Sequence, residues 1–110
     1  ASDIPIQYLP WEPTLKINDV DLVVNTAPGD AAGSFLSSIN SPRGSLFEVL
    51  YHPWPTDLAR TWAATDQLVI DGLELLIHQA ISQMEIFAGL ILDRPLLHAH
   101  LRKAALIQLT

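Results

Sequence analysis

Cysteine is absent from this 110-residue chain, which excludes disulfide frameworks, thiolate metal sites and cysteine nucleophiles. Basic residues are also scarce, with 6 Lys and Arg against 12 Asp and Glu and a net charge of -6. Because nucleic-acid binders usually carry a basic stripe, we expect neither nucleic acid nor an anionic membrane as a partner. The sequence also lacks a run long enough to span a membrane and a signal-peptide pattern, so we expect a cytoplasmic location.

Several motifs that carry chemistry are missing as well. The sequence contains no GxGxxG turn, no P-loop, no HExxH and no GxSxG, so nothing here marks a phosphate cradle, a zinc protease or a serine hydrolase. His98 and His100 are two positions apart, which points them to different sides of a helix. We therefore expect no metal site, and no metalloprotease or serine-hydrolase chemistry, within this chain.

What the sequence does have is a core-rich composition, with 49% apolar residues, arranged as alternating strand and helix patterns. The patterns predict strands at 4–9, 21–26, 45–51 and 67–70 and helices at 31–39, 56–65, 71–88 and 94–107. Such alternation implies parallel pairing. The expected fold class is α/β: the C-terminal half of a Rossmann-like, doubly wound parallel sheet, plus closing C-terminal helices.

The helix that follows Asp71 has the strongest signals. Asp71 can cap its first N–H groups, Glu74 three residues later resembles a capping box, and Gly89 is a plausible stop. An apolar stripe runs along one face, comprising Leu73, Leu76, Ile77, Ala80, Ile81, Met84 and Phe87. Gln79 lies on the ridge beside this stripe, where an amide suits a polyol ligand but is also common at a solvent boundary.

Three strand patterns end in residues suited to a ligand site. The first ends in Asn25-Thr26, the second in Tyr51 and the third in Asp71-Gly72. Ligands of open parallel sheets bind outside the carboxyl ends of the strands. The same residue types are also ordinary turn and cap residues, so the residues alone leave both interpretations open.

Three blocks of the sequence resemble shikimate dehydrogenases. Residues 20–28 (VDLVVNTAP) are similar to the NTxP turn of that family, residues 47–59 (FEVLYHPWPTDLA) to its D-x-x-Y-x-P-x-x-T-x-L block, and residues 71–80 (DGLELLIHQA) to its DGLxMLxxQA signature. The blocks stand in the family's order and spacing, and the YxPWPT form resembles actinobacterial members. Two departures are mild, Glu48 for the usual Asp and Leu75 for the usual Met.

The resemblance implies an NADP-dependent oxidoreductase that reduces 3-dehydroshikimate to shikimate on the route to aromatic amino acids. It implies cofactor-binding roles for Asn25, Thr26, Val49, Gly72 and Leu75. It implies that Tyr51 lines the substrate pocket and that Gln79 hydrogen-bonds the substrate. Residues 1–72 would be the second half of the NADP-binding domain, and residues 73–110 would be helices packing towards an N-terminal substrate domain.

The resemblance does not extend to the family's catalytic Lys–Asp pair, its glycine-rich turn or its basic 2′-phosphate residues. We therefore expect this chain alone to be inactive and, because it would expose an unpaired sheet edge, to self-associate. Two alternatives remain open at this point. One is a fragment of an NAD-using quinate/shikimate dehydrogenase, and the other is a stand-alone small-molecule-binding or interaction domain on the same scaffold.

Overall fold

The computed structural model describes residues 3–12, 16–28 and 31–109. The elements that matter for function are the strands β1 (Leu22–Asn25), β2 (Ser45–Glu48) and β3 (Val69–Asp71) and the helices α1 (Asp57–Ala63), α2 (Gly72–Ala88) and α3 (Arg94–Leu109). Short 3₁₀ helices at Ile17–Asp19 and Ala31–Ser38 complete the set. The α/β class expected from the sequence is therefore confirmed.

The three strands form one parallel sheet in the order β1-β2-β3. Asn25 pairs with Glu48, and Glu48 with Asp71, so the carboxyl ends of all three strands are level with one another. The 3₁₀ helix Ala31–Ser38 connects β1 to β2, and α1 connects β2 to β3. This topology brings the ends of the three strand patterns to one edge of the sheet.

One face of the sheet is covered by the 3₁₀ helix Ala31–Ser38 and by α1. The buried cluster between them consists of Ala32, Leu46, Leu58 and Trp62. Trp62 is fully buried, and its indole N–H donates to the carbonyl of Gly44 at 3.2 Å. Thr56 caps α1 as expected, because its hydroxyl accepts from the N–H of Ala59 at 3.1 Å.

Helices α2 and α3 form a second apolar cluster. Leu73, Ile77 and Ile81 of α2 are buried against α3, where their partners are Leu97, Leu101, Ala105 and Leu109. Asp71 caps the first turn of α2, and Gly89 ends the helix in the left-handed conformation with φ of 64°, a conformation that glycine adopts without a Cβ penalty. Both signals were predicted from the sequence.

One expectation from the sequence is wrong, and one pattern is only partly buried. The strand predicted at 4–9 does not form: residues 4–9 carry no regular secondary structure, since no neighbouring strand pairs with them. The apolar stripe of α2 is only partly buried, because α3 covers one side of it and leaves Leu76, Met84 and Phe87 exposed.

The sheet and α2 are among the places where apolar surface remains exposed in the described part of the chain. Leu22, Val24 and Leu68 are more than half exposed on the sheet, and Ile86 and Phe87 are 77% and 86% exposed on α2. The expected self-association has a physical basis in these areas and stays a prediction. Across residues 3–12, 16–28 and 31–109, no helix combines the length and the apolar character that crossing a bilayer requires.

Candidate functional site

The candidate site is the carboxyl edge of the sheet, which we define as Asn25, Thr26, Val49, Leu50 and Gly72. The N–H of Val49 donates to the carbonyl of Asn25 at 3.1 Å, and the N–H of Gly72 donates to the carbonyl of Leu50 at 3.4 Å. These backbone bonds continue the strand pairing by one residue beyond the sheet. Four of the five predicted cofactor-binding residues therefore lie side by side at this edge.

Asn25 and Thr26 contribute differently to the carboxyl edge. Asn25 is only 8% exposed. Its Nδ2 donates to Oε1 of Glu48 at 2.8 Å, and its Oδ1 accepts from the N–H of Ala27 at 3.2 Å. Both ends of the amide are thus used within the protein, whereas Thr26 is exposed beside it. Of the pair, Thr26 is the one whose side chain faces solvent at the strand end.

Glu48 is a fully buried carboxylate at the end of β2. One oxygen accepts from Asn25, and the other accepts from the Thr56 hydroxyl at 2.9 Å. Because Thr56 also caps α1, this one carboxylate joins β1, β2 and the start of α1. The sequence analysis treated Glu48 only as a mild replacement. The signal that it missed is the alternation that puts Glu48 on the same buried face as Leu46.

Gly72 marks the direct passage from β3 into α2. A Cβ placed there would lie 1.8 Å from the carbonyl oxygen of Val49 and 2.5 Å from its carbonyl carbon. No side chain fits against backbone at that distance, so glycine is required here by the neighbouring strand. The missing Cβ thus has a packing reason, and the contact with a cofactor stays a prediction.

Two clefts contain residues of the strand ends or of the helix that follows them. One, of about 460 Å³, is lined by Asn25, Glu48 and Leu50 on the side of α1. The other, of about 600 Å³, lies on the side of α2, and its lining includes Leu75, which is 46% exposed. The first cleft therefore opens onto the edge, whereas the second lies over β3 and the start of α2 and contains the fifth predicted cofactor-binding residue, Leu75.

The two predicted substrate-binding residues lie on different elements of the fold. Tyr51 is 41% exposed and lines a smaller cleft of about 250 Å³ together with Leu73 and Arg102. Gln79 is exposed on α2, about two turns from Gly72, on the side turned away from α3. Tyr51 and Gln79 therefore stand on different elements, and their joint role in one substrate site stays a prediction.

Arg102 of α3 holds the start of α2. Its Nη2 donates to Oδ2 of Asp71 at 2.9 Å, and its Nη1 donates to Oε1 of Glu74 at 2.6 Å. Burial alone would raise the pKa of Asp71. The hydrogen bond from Arg102, the N–H of Glu74 and the charge of Arg102 have the larger combined effect, so the pKa of Asp71 is lowered. The bond to Asp71 in turn raises the pKa of Arg102. Glu74 was expected to complete a capping box, and its carboxylate bonds to α3 instead.

Replacing Arg102 with methionine is expected to destabilise the chain by about 1–2 kcal/mol at pH 7, because the partly buried Asp71 loses its charged partner. A carboxylate whose pKa is lowered by folding stabilises the protein above its unfolded pKa and loses that effect as the pH falls through the folded pKa. The cost of Arg102→Met should therefore shrink below about pH 4, near the ordinary pKa of aspartate.

Urea unfolding of both proteins between pH 7 and pH 3 measures this effect. Lys103→Met is the matched control, since Lys103 is exposed on the same helix and its loss removes the same charge. If Arg102→Met and Lys103→Met cost the same at pH 7, Arg102 does not hold Asp71 in the way described.

Beside the ion pair of Arg102 and Asp71 lies a cluster of three potential metal ligands. These are Glu74, His78 and His98, and their ligand atoms are within 4.8 Å of one another. Oε2 of Glu74 is 2.8 Å from Nε2 of His98 and 3.6 Å from Nε2 of His78. The sequence analysis missed the cluster. Glu74 lies one helical turn before His78, but His98 comes from α3, and its proximity follows only from the packing of the two helices.

Comparison with known proteins gives a consistent set of relatives, although no protein-family model matches the chain. The shikimate dehydrogenase (NADP(+)) of Leptospira interrogans is 31% identical over 66% of this chain and 27% of its own length. That of a Synechococcus species is 31% identical over 94% of this chain and 40% of its own length. The chain thus spans well under half of the curated relatives that it matches.

Solved structures show the same likeness. The crystal structure of Mycobacterium tuberculosis shikimate dehydrogenase matches 77% of this chain with a TM-score of 0.69 and 32% identity, over 32% of its own chain. A shikimate 5-dehydrogenase from Mycobacterium fortuitum matches 72% of this chain with a TM-score of 0.62 and 33% identity, over 29% of its own chain. The parallel sheet with its helices is therefore an arrangement that known shikimate dehydrogenases also have.

Proposed function

We propose that this chain is the C-terminal part of an NADP-dependent shikimate dehydrogenase, a cytoplasmic enzyme that reduces 3-dehydroshikimate to shikimate. The observation that carries the proposal is the joint likeness in sequence and structure to the Mycobacterium tuberculosis enzyme over 77% of the chain. The Synechococcus relative is named a shikimate dehydrogenase (NADP(+)), and its sequence matches 94% of this chain. Because that match leaves out only 6% of the chain, it includes the carboxyl edge.

The carboxyl edge has the properties that a dinucleotide needs at this place. In open parallel sheets, such ligands bind outside the carboxyl ends of the strands, and here a cleft of about 460 Å³ opens at that edge beside Asn25 and Leu50. Thr26, Val49 and Gly72 would hold the cofactor at the strand ends, and Leu75 would contact it from α2. The bound cofactor would supply the hydride for the reduction.

The substrate side of the proposal depends on α2. Its exposed face carries Gln79 among the apolar residues Leu75, Leu76 and Ile86. An apolar face with one uncharged amide fits a covered cleft in which the amide accepts from one ring hydroxyl and donates to another. The family's substrate domain would cover this face, and Tyr51 would line the pocket from the strand end.

Replacing Gln79 with alanine in the complete protein is expected to lower kcat/KM for shikimate by about 10–100-fold, because a buried hydrogen bond to a polyol is lost. The free energy of unfolding should change by less than about 1 kcal/mol, since Gln79 fills no core volume. NADP affinity should stay the same. Steady-state kinetics with shikimate, together with thermal melting, measure all three quantities.

Gln83→Ala is the matched control, because Gln83 is exposed one turn further along the same helix. This variant should retain normal kinetics. If Gln79→Ala melts much earlier but the folded enzyme keeps its kcat/KM, Gln79 is a packing residue, and the substrate-binding assignment is refuted.

A further inference from the structure

We propose that Glu74, His78 and His98 form a binding site for a Zn²⁺ ion that links α2 to α3. The proposal does not rest on the proposed function, because it uses only contacts between these two helices. Two imidazole nitrogens and a carboxylate oxygen form a typical zinc ligand set with three protein ligands and an open position for water. Imidazole ligands also favour zinc over the harder Mg²⁺.

The spacing of the ligand atoms suits such an ion. Tetrahedral zinc with bonds of about 2.1 Å separates its ligand atoms by about 3.4 Å. Nε2 of His78 lies 3.6 Å from Oε2 of Glu74, close to that separation. Nε2 of His98 lies 2.8 Å from the same oxygen, so an entering ion has to displace the proton of this hydrogen bond and widen the contact by about 0.6 Å.

A neighbouring ion pair holds the Glu74 carboxylate through the oxygen that does not face the histidines. Arg102 binds Oε1 of Glu74, which orients the carboxylate and leaves Oε2 directed towards the histidines, as an outer-shell partner of a metal ligand does. Asp71 neutralises Arg102 through its own ion pair at 2.9 Å. With neutral imidazoles, the group therefore keeps one net negative charge, which favours a divalent cation.

The site is accessible to an ion from solvent. His78 has a side-chain exposure of 61%, against 29% for Glu74 and 27% for His98. The two imidazole rings are 5.3 Å apart between centroids and are tilted by 41°. Glu74, His78 and Arg102 also line the cleft of about 600 Å³ beside Leu75. A bound ion would thus lie at the wall of this cleft and fix α3 against the first turns of α2.

The test is calorimetric titration of ZnCl₂ into the untagged, chelator-treated 110-residue chain. We expect one ion per chain, a micromolar or tighter Kd, a raised melting midpoint, and a visible d–d spectrum typical of low coordination when Co²⁺ replaces Zn²⁺. MgCl₂ should not bind at the same site.

His78→Gln is the first variant, because this exposed side chain can change without disturbing the fold. It should weaken Zn²⁺ binding at least about tenfold and abolish the melting shift, and His98→Gln should do the same. His100→Gln is the matched control, since His100 is an exposed histidine of α3 outside the cluster, and it should bind as the parent does. Absence of Zn²⁺ binding, or equal binding by the parent and His78→Gln, would show an ordinary Glu–His ion pair and overturn the proposal.

Discussion

Replacing Gly72 with alanine is expected to destabilise the chain by about 3 kcal/mol or more. The added Cβ would meet the Val49 carbonyl oxygen at 1.8 Å, and a carbonyl of the adjacent strand segment cannot turn aside as a flexible side chain can. Alanine is the better helix former by up to about 1 kcal/mol, but this gain is too small to offset the displacement of the edge. Urea unfolding followed by circular dichroism measures the loss.

Gly33→Ala is the matched control, since a Cβ at Gly33 has no atom within 4 Å. Gly33 lies in the 3₁₀ helix before β2, and its substitution should change stability by no more than about 0.5 kcal/mol. If Gly72→Ala unfolds at the same urea concentration as the parent, the close approach of Gly72 and Val49 described here is wrong.

Replacing Glu48 with alanine is expected to lower the free energy of unfolding by about 3 kcal/mol. The change relieves the desolvation of one buried carboxylate, but it leaves Nδ2 of Asn25 buried without an acceptor and removes the acceptor of the Thr56 hydroxyl. Hydrogen bonds to charged groups contribute about 1.5–3 kcal/mol each, so the two losses outweigh the relief. Equilibrium unfolding in urea at pH 7 measures the difference.

Two further variants test whether the loss of stability comes from the buried hydrogen bonds of Glu48 or from the loss of a negative charge. Glu48→Gln keeps an acceptor for Asn25 and should recover more than half of the loss. Asp57→Ala removes a carboxylate that is 69% exposed and pairs with Arg60, and exposed pairs contribute no more than about 1 kcal/mol. Equal costs for Glu48→Ala and Asp57→Ala would contradict the structural role of the buried carboxylate.

The features of the fold that the sequence predicts are those that depend on interactions between residues close together in the sequence. The helix ends are an example. Thr56 and Asp71 cap helix starts with their side chains, and Gly89 ends α2 through its own φ, as expected. The strands at 21–26, 45–51 and 67–70 were also found, although each is shorter than predicted. Strand length depends on the pairing partner, which a single segment does not reveal.

What the sequence did not predict depends on contacts between distant residues. Residues 4–9 have strand-like composition but no partner strand, and composition alone does not form a sheet. Of the α2 stripe, Leu73 and Ile77 are buried while Leu76 is exposed, because the position of α3 decides which side is covered. His98 reaches Glu74 across 24 positions of sequence, a proximity that only the packed helices create.

The central claim is tested most directly by the complete protein encoded by the reading frame that contains these residues. Purified and folded, it should reduce NADP⁺ when shikimate is added, with NADPH followed by its absorbance, while the 110-residue chain alone should give no signal. A complete protein that reduces neither NADP⁺ nor NAD⁺ with shikimate would contradict the account, and reduction of NAD⁺ with quinate alone would contradict the assigned cofactor and substrate.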